Sequence, residues 1–262
     1  MQQGPRIVVV LPAYNAAKTL EKTYADIPKD IVSNIILVDD VSQDKTVDVA
    51  RALGLSVVIH IQNKGYGGNQ KTCYMEALKL GADIVVMLHP DHQYDSRLIP
   101  QLVQPIIDGK ADMVMGSRIL NGMALQGGMP VWKFISNRFL TITENLVYRT
   151  KLTDGHSGFR AYSRRLLTTV PFLLNSDDFV FDSQMIAQAI RFGFPIAEIP
   201  VQARYFPEAS SVNFRVSSIY GMKTLGVMTS FILHKMKISH PPYLKKNLAD
   251  VVSRHHHSEI FR

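Results

Sequence analysis

The feature that most constrains this chain is an alternation in its first half between short β-branched runs, apolar on both faces, and segments with helical spacing. The runs are residues 7–11, 35–38, 57–59, 84–88 and 113–115. A strand that is apolar on both sides must be covered on both sides, the condition of a buried parallel strand. Between the runs, Leu20, Thr23, Tyr24 and Ile27 keep a helical period, as do Val47, Ala50 and Leu53, then Cys73, Ala77 and Leu80, and later Leu98, Leu102 and Ile106. Parallel strands need crossover helices. The series therefore predicts βαβ units and an α/β fold, an open, mostly parallel twisted sheet flanked by helices on both faces.

Beyond Gly116-Ser117-Arg118 the pattern changes to a Gly/Met loop at 122–129 and a mostly apolar helix at 132–148. A helix at 182–191, a strand at 196–201 and a last helix at 217–237 follow. No linker rich in Pro, Ser or Gly cuts the chain, which predicts one domain with two functional halves, 1–118 and 119–238, and a tail, 239–262. His255-His256-His257 in that tail read as solvated.

Sheets of this kind bind ligands at the carboxyl ends of their strands. Four strand ends here carry polar residues: Pro12-Ala13-Tyr14-Asn15, Asp39-Asp40, His89-Pro90-Asp91-His92-Gln93 and Gly116-Ser117-Arg118. One such carboxylate alone is as readily a helix cap; four groups together predict a ligand site. The stretch Asn63-Lys64-Gly65-Tyr66-Gly67-Gly68-Asn69-Gln70-Lys71 has two readings. Either its amides and Lys71 face a phosphorylated ligand, or its glycines serve the start of a helix. It has neither Walker nor dinucleotide spacing.

A net charge of +7 favours anionic partners. Lys and Arg are scattered rather than clustered among aromatics, which argues against nucleic acid. Cys73 is the only cysteine, and residues 1–5 lack the basic start and apolar run of a secretory signal, so a reducing, cytoplasmic setting is expected. No window holds the ~18–20 uninterrupted apolar residues of a membrane span. The helices at 131–148 and 217–237 do mix apolar side chains with Lys and Arg, a composition that suits peripheral contact with a membrane face. Core packing and oligomer contact compete with that reading.

Taken in order, Pro12-Ala13-Tyr14-Asn15, Val38-Asp39-Asp40-x-Ser42-x-Asp44-x-Thr46, the Asp91 to Gln93 segment, Gly116-Ser117-Arg118 and Ser157-Gly158-Phe159-Arg160 resemble the family 2 glycosyltransferases, in particular their dolichol-phosphate mannose synthase-like branch. The resemblance covers roughly residues 6–205. It implies the GT-A fold and an inverting, hexosyltransferase-like enzyme. Such an enzyme moves a sugar from a UDP- or GDP-linked donor to a lipid phosphate or a glycan acceptor.

It further implies that Asp40 holds the base or ribose of the donor nucleotide, with Pro12, Tyr14 and Asn15 lining the same pocket. The family's central motif is Asp-x-Asp followed by x-Gln, and His89 replaces its first Asp. Asp91 and Gln93 match, as ligands of Mg²⁺ or Mn²⁺ on the donor diphosphate. His89 is either a nitrogen ligand or a residue that packs or bonds to phosphate. Arg118 and Lys133 are the implied phosphate-binding cations. Asp154 and Arg160 read equally as acceptor-side residues and as a structural ion pair. Asp182, in Phe179-x-Phe181-Asp182-x-Gln184, is the implied acceptor-side base, needed by a sugar hydroxyl and dispensable for an ionised phosphate. Residues 203–211 are positioned to act as a lid. Asn15-Ala16 stands where the family has Asn-Glu. Two other functions remain open: a nucleotidyltransferase, which would want a Gly-rich turn with Arg after the first strand, and a non-catalytic sugar-nucleotide-binding protein.

Overall fold

The computed structural model describes residues 4–120, 122, 124–204 and 214–261. Among these, seven strands form one sheet: β1 (Ile7–Ala13), β2 (Val32–Asp39), β3 (Ser56–Ile59), β4 (Ile84–Met87), β5 (Met113–Ser117), β6 (Arg160–Ser163) and β7 (Ile196–Pro200). Their order is β3-β2-β1-β4-β6-β5-β7. All neighbours run parallel except β6, which is antiparallel to β4 on one side and β5 on the other.

The helices are α1 (Leu20–Ala25), α2 (Thr46–Ala52), α3 (Gly65–Lys79), α4 (Ile99–Ile107), α5 (Val131–Tyr148), α6 (Arg164–Thr169), α7 (Phe181–Arg191), α8 (Phe214–Lys235), α9 (Pro242–Lys245) and α10 (Arg254–Ile260). Successive strand side chains point to opposite faces, and the central strands divide accordingly. Val8, Val10, Val85 and Met87 enter one core with α3, α6 and α7. Ile7, Val9, Leu11, Ile84 and Val86 enter the other with α1, α2 and α4. This two-sided burial is what the doubly apolar runs required, and the mostly parallel sheet follows the expectation.

Three features depart from the sequence reading. β6 lies where a loop was expected, because Arg160-Ala161-Tyr162-Ser163 is short and carries polar residues at both ends; Arg160 is nonetheless fully buried. The segment expected only as a C-terminal tail is anchored on the first core, with Leu244, Leu248 and Ile260 buried and the Ile260 carbonyl accepting from Arg164. Residues Arg215–Lys235 of α8 have the length and a mean hydropathy, 1.2, that admit a membrane crossing. A search for an uninterrupted apolar run misses this, since Lys223 and small polar residues break the run. One side of α8 is packed: Val227, Met228 and Phe231 join the core, and Phe231 meets Tyr148 of α5 edge-on at 4.8 Å. Of the expected lid, residues 205–211 lie outside the described residues.

Candidate active site

The carboxyl ends of β1, β2, β4 and β5 open into a cavity of about 820 Å³. Three non-glycine residues in the turns after β1, β2 and β4 have left-handed backbone: Asn15 (φ 52°), Val41 (φ 67°) and His92 (φ 57°). For a β-branched residue such as Val41 that conformation is strained, and strain of this sort collects where a ligand site fixes the backbone.

The motif after β2 has a local cause. Successive amides of the β1–α1 turn donate to its side chains: Asn15 to Ser42 Oγ (2.9 Å), Ala16 to Thr46 Oγ1 (2.8 Å) and Ala17 to Asp44 Oδ2 (3.0 Å). Burial raises the Asp44 pKa, but hydrogen bonds from Thr46 and Ala17 outweigh it and hold the carboxyl below its usual value. The motif thus clamps two strand ends together and presents Pro12, Tyr14 and Asn15 to the cavity.

Asp40 lines the cavity but is already engaged. It accepts from the amides of Lys64 (2.8 Å) and Gly65 (3.0 Å) at the start of α3, and its Oδ1 pairs with His60 Nδ1 at 2.7 Å. The glycines of α3 serve close packing rather than an open anion nest: a Cβ on Gly67 would stand 2.3 Å from the Ser176 carbonyl, and the Gly67 amide donates to Asp177 O (2.8 Å). Lys71, expected to face a donor, turns away. Its Nζ holds the Asn175 carbonyl and Asp177 Oδ1 (2.6 Å), and it does not line the cavity.

After β4, His89, Asp91 and Gln93 all reach the cavity. Asp91 Oδ1 accepts the Gln93 amide at 3.0 Å. His89 Nε2 lies 3.1 Å from the Tyr66 hydroxyl, which donates to Asp182 Oδ2 at 2.8 Å. His89 Nε2 is thus engaged with the Tyr66 hydroxyl, a contact it would have to give up to ligate a metal. Gln70 Nε2 donates to the other Asp182 oxygen at 3.2 Å. Asp182 is therefore the far end of a His89–Tyr66–Asp182 chain across the cavity. Gly158 is required beside it, since a Cβ there would meet His89 Cδ2 at 2.9 Å.

Asp91 and Gln93 offer a carboxylate and an amide oxygen, the donor types of a hard cation that completes its shell with phosphate and water. Among the described residues no three His, Cys, Asp or Glu side chains converge as a metal cluster. Any ion here would thus be finished by the ligand it accompanies.

The residues beyond β5 separate into two groups. Arg118 lines the cavity while its guanidinium grips fully buried Asp154 through two bonds, 2.7 and 2.9 Å. Asn137 adds a third donor to Asp154 at 2.7 Å, and although burial opposes ionisation, Arg118 and these bonds hold the carboxyl well below its usual range. Arg160 is buried under the site and donates to the carbonyls of Ser157 (2.7 Å), Gly155 (3.1 Å) and Asp182 (3.1 Å). Neither Asp154 nor Arg160 lines the cavity, so their expected contact with acceptor phosphate gives way to a structural role. Lys133 of α5 does line it, and burial together with neighbouring Arg118 holds its ammonium below the usual lysine value. Among the described residues no carboxylate pairs with Lys133.

Several lining residues carry no motif and were not singled out as site residues: Tyr66, Asn69, Tyr94, His156 and Tyr220. For Tyr66 and Asn69 the Gly-rich 63–71 stretch was a signal. Behind His156 lies Glu144, 1% exposed, with neither carboxylate oxygen hydrogen-bonded. Burial raises its pKa to about 8, so it is protonated at neutral pH, and burial lowers that of His156 to about 4. His156 Nδ1 meets the Tyr220 hydroxyl at 2.7 Å, which joins this buried pair to α8.

A profile described as glycosyl transferase family 2 matches residues 8–170. An uncharacterised protein of Methanocaldococcus jannaschii is 32% identical over 84% of this chain and 89% of its own. A UDP-N-acetylglucosamine–dolichyl-phosphate N-acetylglucosaminyltransferase of Methanococcus voltae is 30% identical over 76% of this chain and 86% of its own. Among solved structures, glucosyl-3-phosphoglycerate synthase from Mycobacterium tuberculosis with phosphoglyceric acid superimposes with a TM-score of 0.67 at 23% identity, covering 90% of this chain and 82% of that one. The fold is thus the GT-A fold that the ordered motifs implied. The chain belongs to glycosyl transferase family 2, and of the three functions left open by the sequence, glycosyl transfer is the one that membership selects.

Proposed function

We propose that this family 2 glycosyltransferase moves a sugar, with inversion, from a UDP- or GDP-linked donor to the phosphate of a polyprenyl-type lipid, at the cytoplasmic face of a membrane. In this reading residues 1–118 hold the donor and 119–238 the acceptor. The observation that carries it is one cavity lined both by strand-end Asp40 and Asp91 and by Lys133, with Arg118 nearby. A cation held below its usual pKa by burial and by a neighbouring guanidinium gains from a phosphate placed against it. The M. voltae relative, whose printed activity is on dolichyl phosphate, supports the acceptor class.

In the proposed reaction an acceptor phosphate oxygen bonds to the anomeric carbon as the bond from that carbon to the donor diphosphate breaks. Asp91 and Gln93 are the residues to hold Mg²⁺ or Mn²⁺, which when bound offsets the charge left on the diphosphate. Pro12, Tyr14, Asn15 and Asp40 frame the nucleoside end, with Asp40 fixing the start of α3 as well as the pocket wall. Both Asp182 oxygens already accept bonds from Tyr66 and Gln70. A sugar hydroxyl would have to compete for them, whereas an ionised phosphate needs only positioning. Asp182 is thus assigned to orienting Tyr66 and the acceptor.

The test is to screen UDP- and GDP-sugars for Mn²⁺-dependent thermal stabilisation, then to assay the best donor with a short polyprenyl phosphate. A lipid-linked sugar of inverted anomeric configuration is expected. Stabilisation by a donor with transfer only to a glycan hydroxyl would replace the acceptor, and no transfer from any donor would sink the reading.

A further inference from the structure

Helix α5 is apolar on the side turned away from the protein. Its inward residues Asn137, Thr141, Glu144 and Tyr148 are buried. At 100° per residue, Val131, Ile135, Phe139, Ile142 and Leu146 fall on the opposite face. All five are exposed, Leu146 at 76%. Such a stripe is the reverse of an ordinary surface helix, where the polar face looks outward.

Helix α8 repeats the arrangement beside it. Thr224, Val227, Met228 and Phe231 face inward, while Met222, Leu225, Ile232 and Met236, just past the helix end, are exposed. The two helices lie side by side and run in the same direction, since Gly221 is next to Leu140 and Phe231 next to Tyr148. Their two amino-terminal ends both reach the cavity, through Trp132, Lys133 and Ser136 from α5 and Val216, Ser217 and Tyr220 from α8. Their two carboxyl ends both carry exposed cations, Arg149 and Lys151 after α5, Lys235 and Lys237 at the end of α8.

Charge on this surface is predominantly positive, although Lys223 is paired with half-buried Asp178. The only acid in α5 is buried Glu144, and between Glu208 and Asp250 the sequence holds no Asp or Glu at all while carrying Arg215, Lys223, Lys235, Lys237, Lys245 and Lys246. An apolar face whose carboxyl-end border is cationic complements an anionic bilayer: side chains enter the acyl boundary and the cations meet headgroups. A second copy of the chain would bring the same cations against each other.

We infer that the outer faces of α5 and α8 form a docking surface for a membrane containing anionic lipid. The surface lays the mouth of the cavity against the headgroup layer, and this orientation rests on the proposed lipid-phosphate acceptor. Phe139, Leu146 and Ile232 are its anchors, and Lys235 and Lys237 its electrostatic latch.

Full-length protein is to be floated with vesicles of phosphatidylcholine alone and of phosphatidylcholine mixed with phosphatidylglycerol, neither containing polyprenyl phosphate. Partitioning is expected into the mixed vesicles, weaker into the neutral ones, and reduced by salt. A variant carrying Phe139→Glu, Leu146→Glu and Ile232→Glu should lose at least about tenfold in partitioning. K235E/K237E should lose the preference for the anionic vesicles. In each variant the thermal shift by UDP with Mn²⁺ is read on the same sample, so that a misfolded protein is recognised and replaced by the single Leu146→Glu change. No partitioning by the parent overturns the inference. So does a dimer in solution that the triple variant turns into monomer without any vesicle binding. Partitioning with no lipid-linked product would leave the surface standing and remove the acceptor reading instead.

Discussion

Two sets of charged residues stood out in the sequence, and the fold treats them in opposite ways. Arg160, Asp154 and Lys71 are bonded to the protein itself: Arg160 to three carbonyls, Asp154 to Arg118 and Asn137, Lys71 to the 175–177 segment. Asp91 and Lys133 face the cavity. Residue type and position in a motif did not separate the sets. What separates them is position in the fold: Arg160, Asp154 and Lys71 are spent on bonds away from the cavity, whereas Asp91 and Lys133 line it.

The contrast can be broken most sharply at Arg160. Arg160→Met should cost about 3–5 kcal/mol by stranding three carbonyls and the Asp182 charge, and lower the melting temperature by roughly 10 °C. A variant that melts like the parent and loses only acceptor affinity would move Arg160 into the other set. Asp91→Asn should do the reverse, cutting turnover by roughly 10²–10³ while leaving the melting temperature within about 1 °C. Equal loss of stability and turnover there would erase the distinction.

Glu144 tests the comparison through pH. Its folded pKa of about 8 lies above the ordinary glutamate value of 4.5, so the folded state binds the extra proton and the stability it contributes is lost as pH rises from the lower value through the higher. His156, lowered from 6.5 to about 4, acts in the opposite sense, an effect that fades as pH rises past 6.5. The Glu144 effect therefore dominates between about pH 7 and 8, where denaturant unfolding should show a fall of roughly 1 kcal/mol that Glu144→Gln abolishes. A parent profile flat over that interval would mean that the carboxyl is ionised and partnered. Lys133→Met should raise KM for a phosphate acceptor roughly tenfold at unchanged kcat. Smallest is Lys71→Met, expected to cost under about 1 kcal/mol and to leave donor affinity alone, since its partner Asp177 is largely exposed. A tenfold loss of donor binding would show that Lys71 swings into the cavity.

The sheet and its ligand-binding edge were legible because doubly apolar runs permit few arrangements. Five of the seven strands were visible as such runs, and β7 followed from 196–201. β6 was not, because its stability comes from lying between two strands and from the internal bonds of Arg160 and Ser163, neither of which leaves a periodic trace. The strand-end residues were found for the same topological reason. Their partners were not: Tyr66 meets His89 and Asp182 across 23 and 116 residues of sequence. Burial of Glu144 likewise depends on the approach of α8 and the 155–156 turn, which no local spacing announces.

The packing of α10 sets an order of events in synthesis. Ile260 sits in the same core cluster as Val8 and Val85, and its carbonyl is the acceptor for Arg164. Among the described residues, the opposite core, built by α1, α2 and α4, draws on nothing later than Ala203. As the chain leaves the ribosome, one face of the sheet can be completed while the other still waits for residue 260 to emerge. Until then Leu166, Leu167 and their neighbours remain open to solvent and to chaperones, which makes this side the one where newly made protein is most exposed to aggregation.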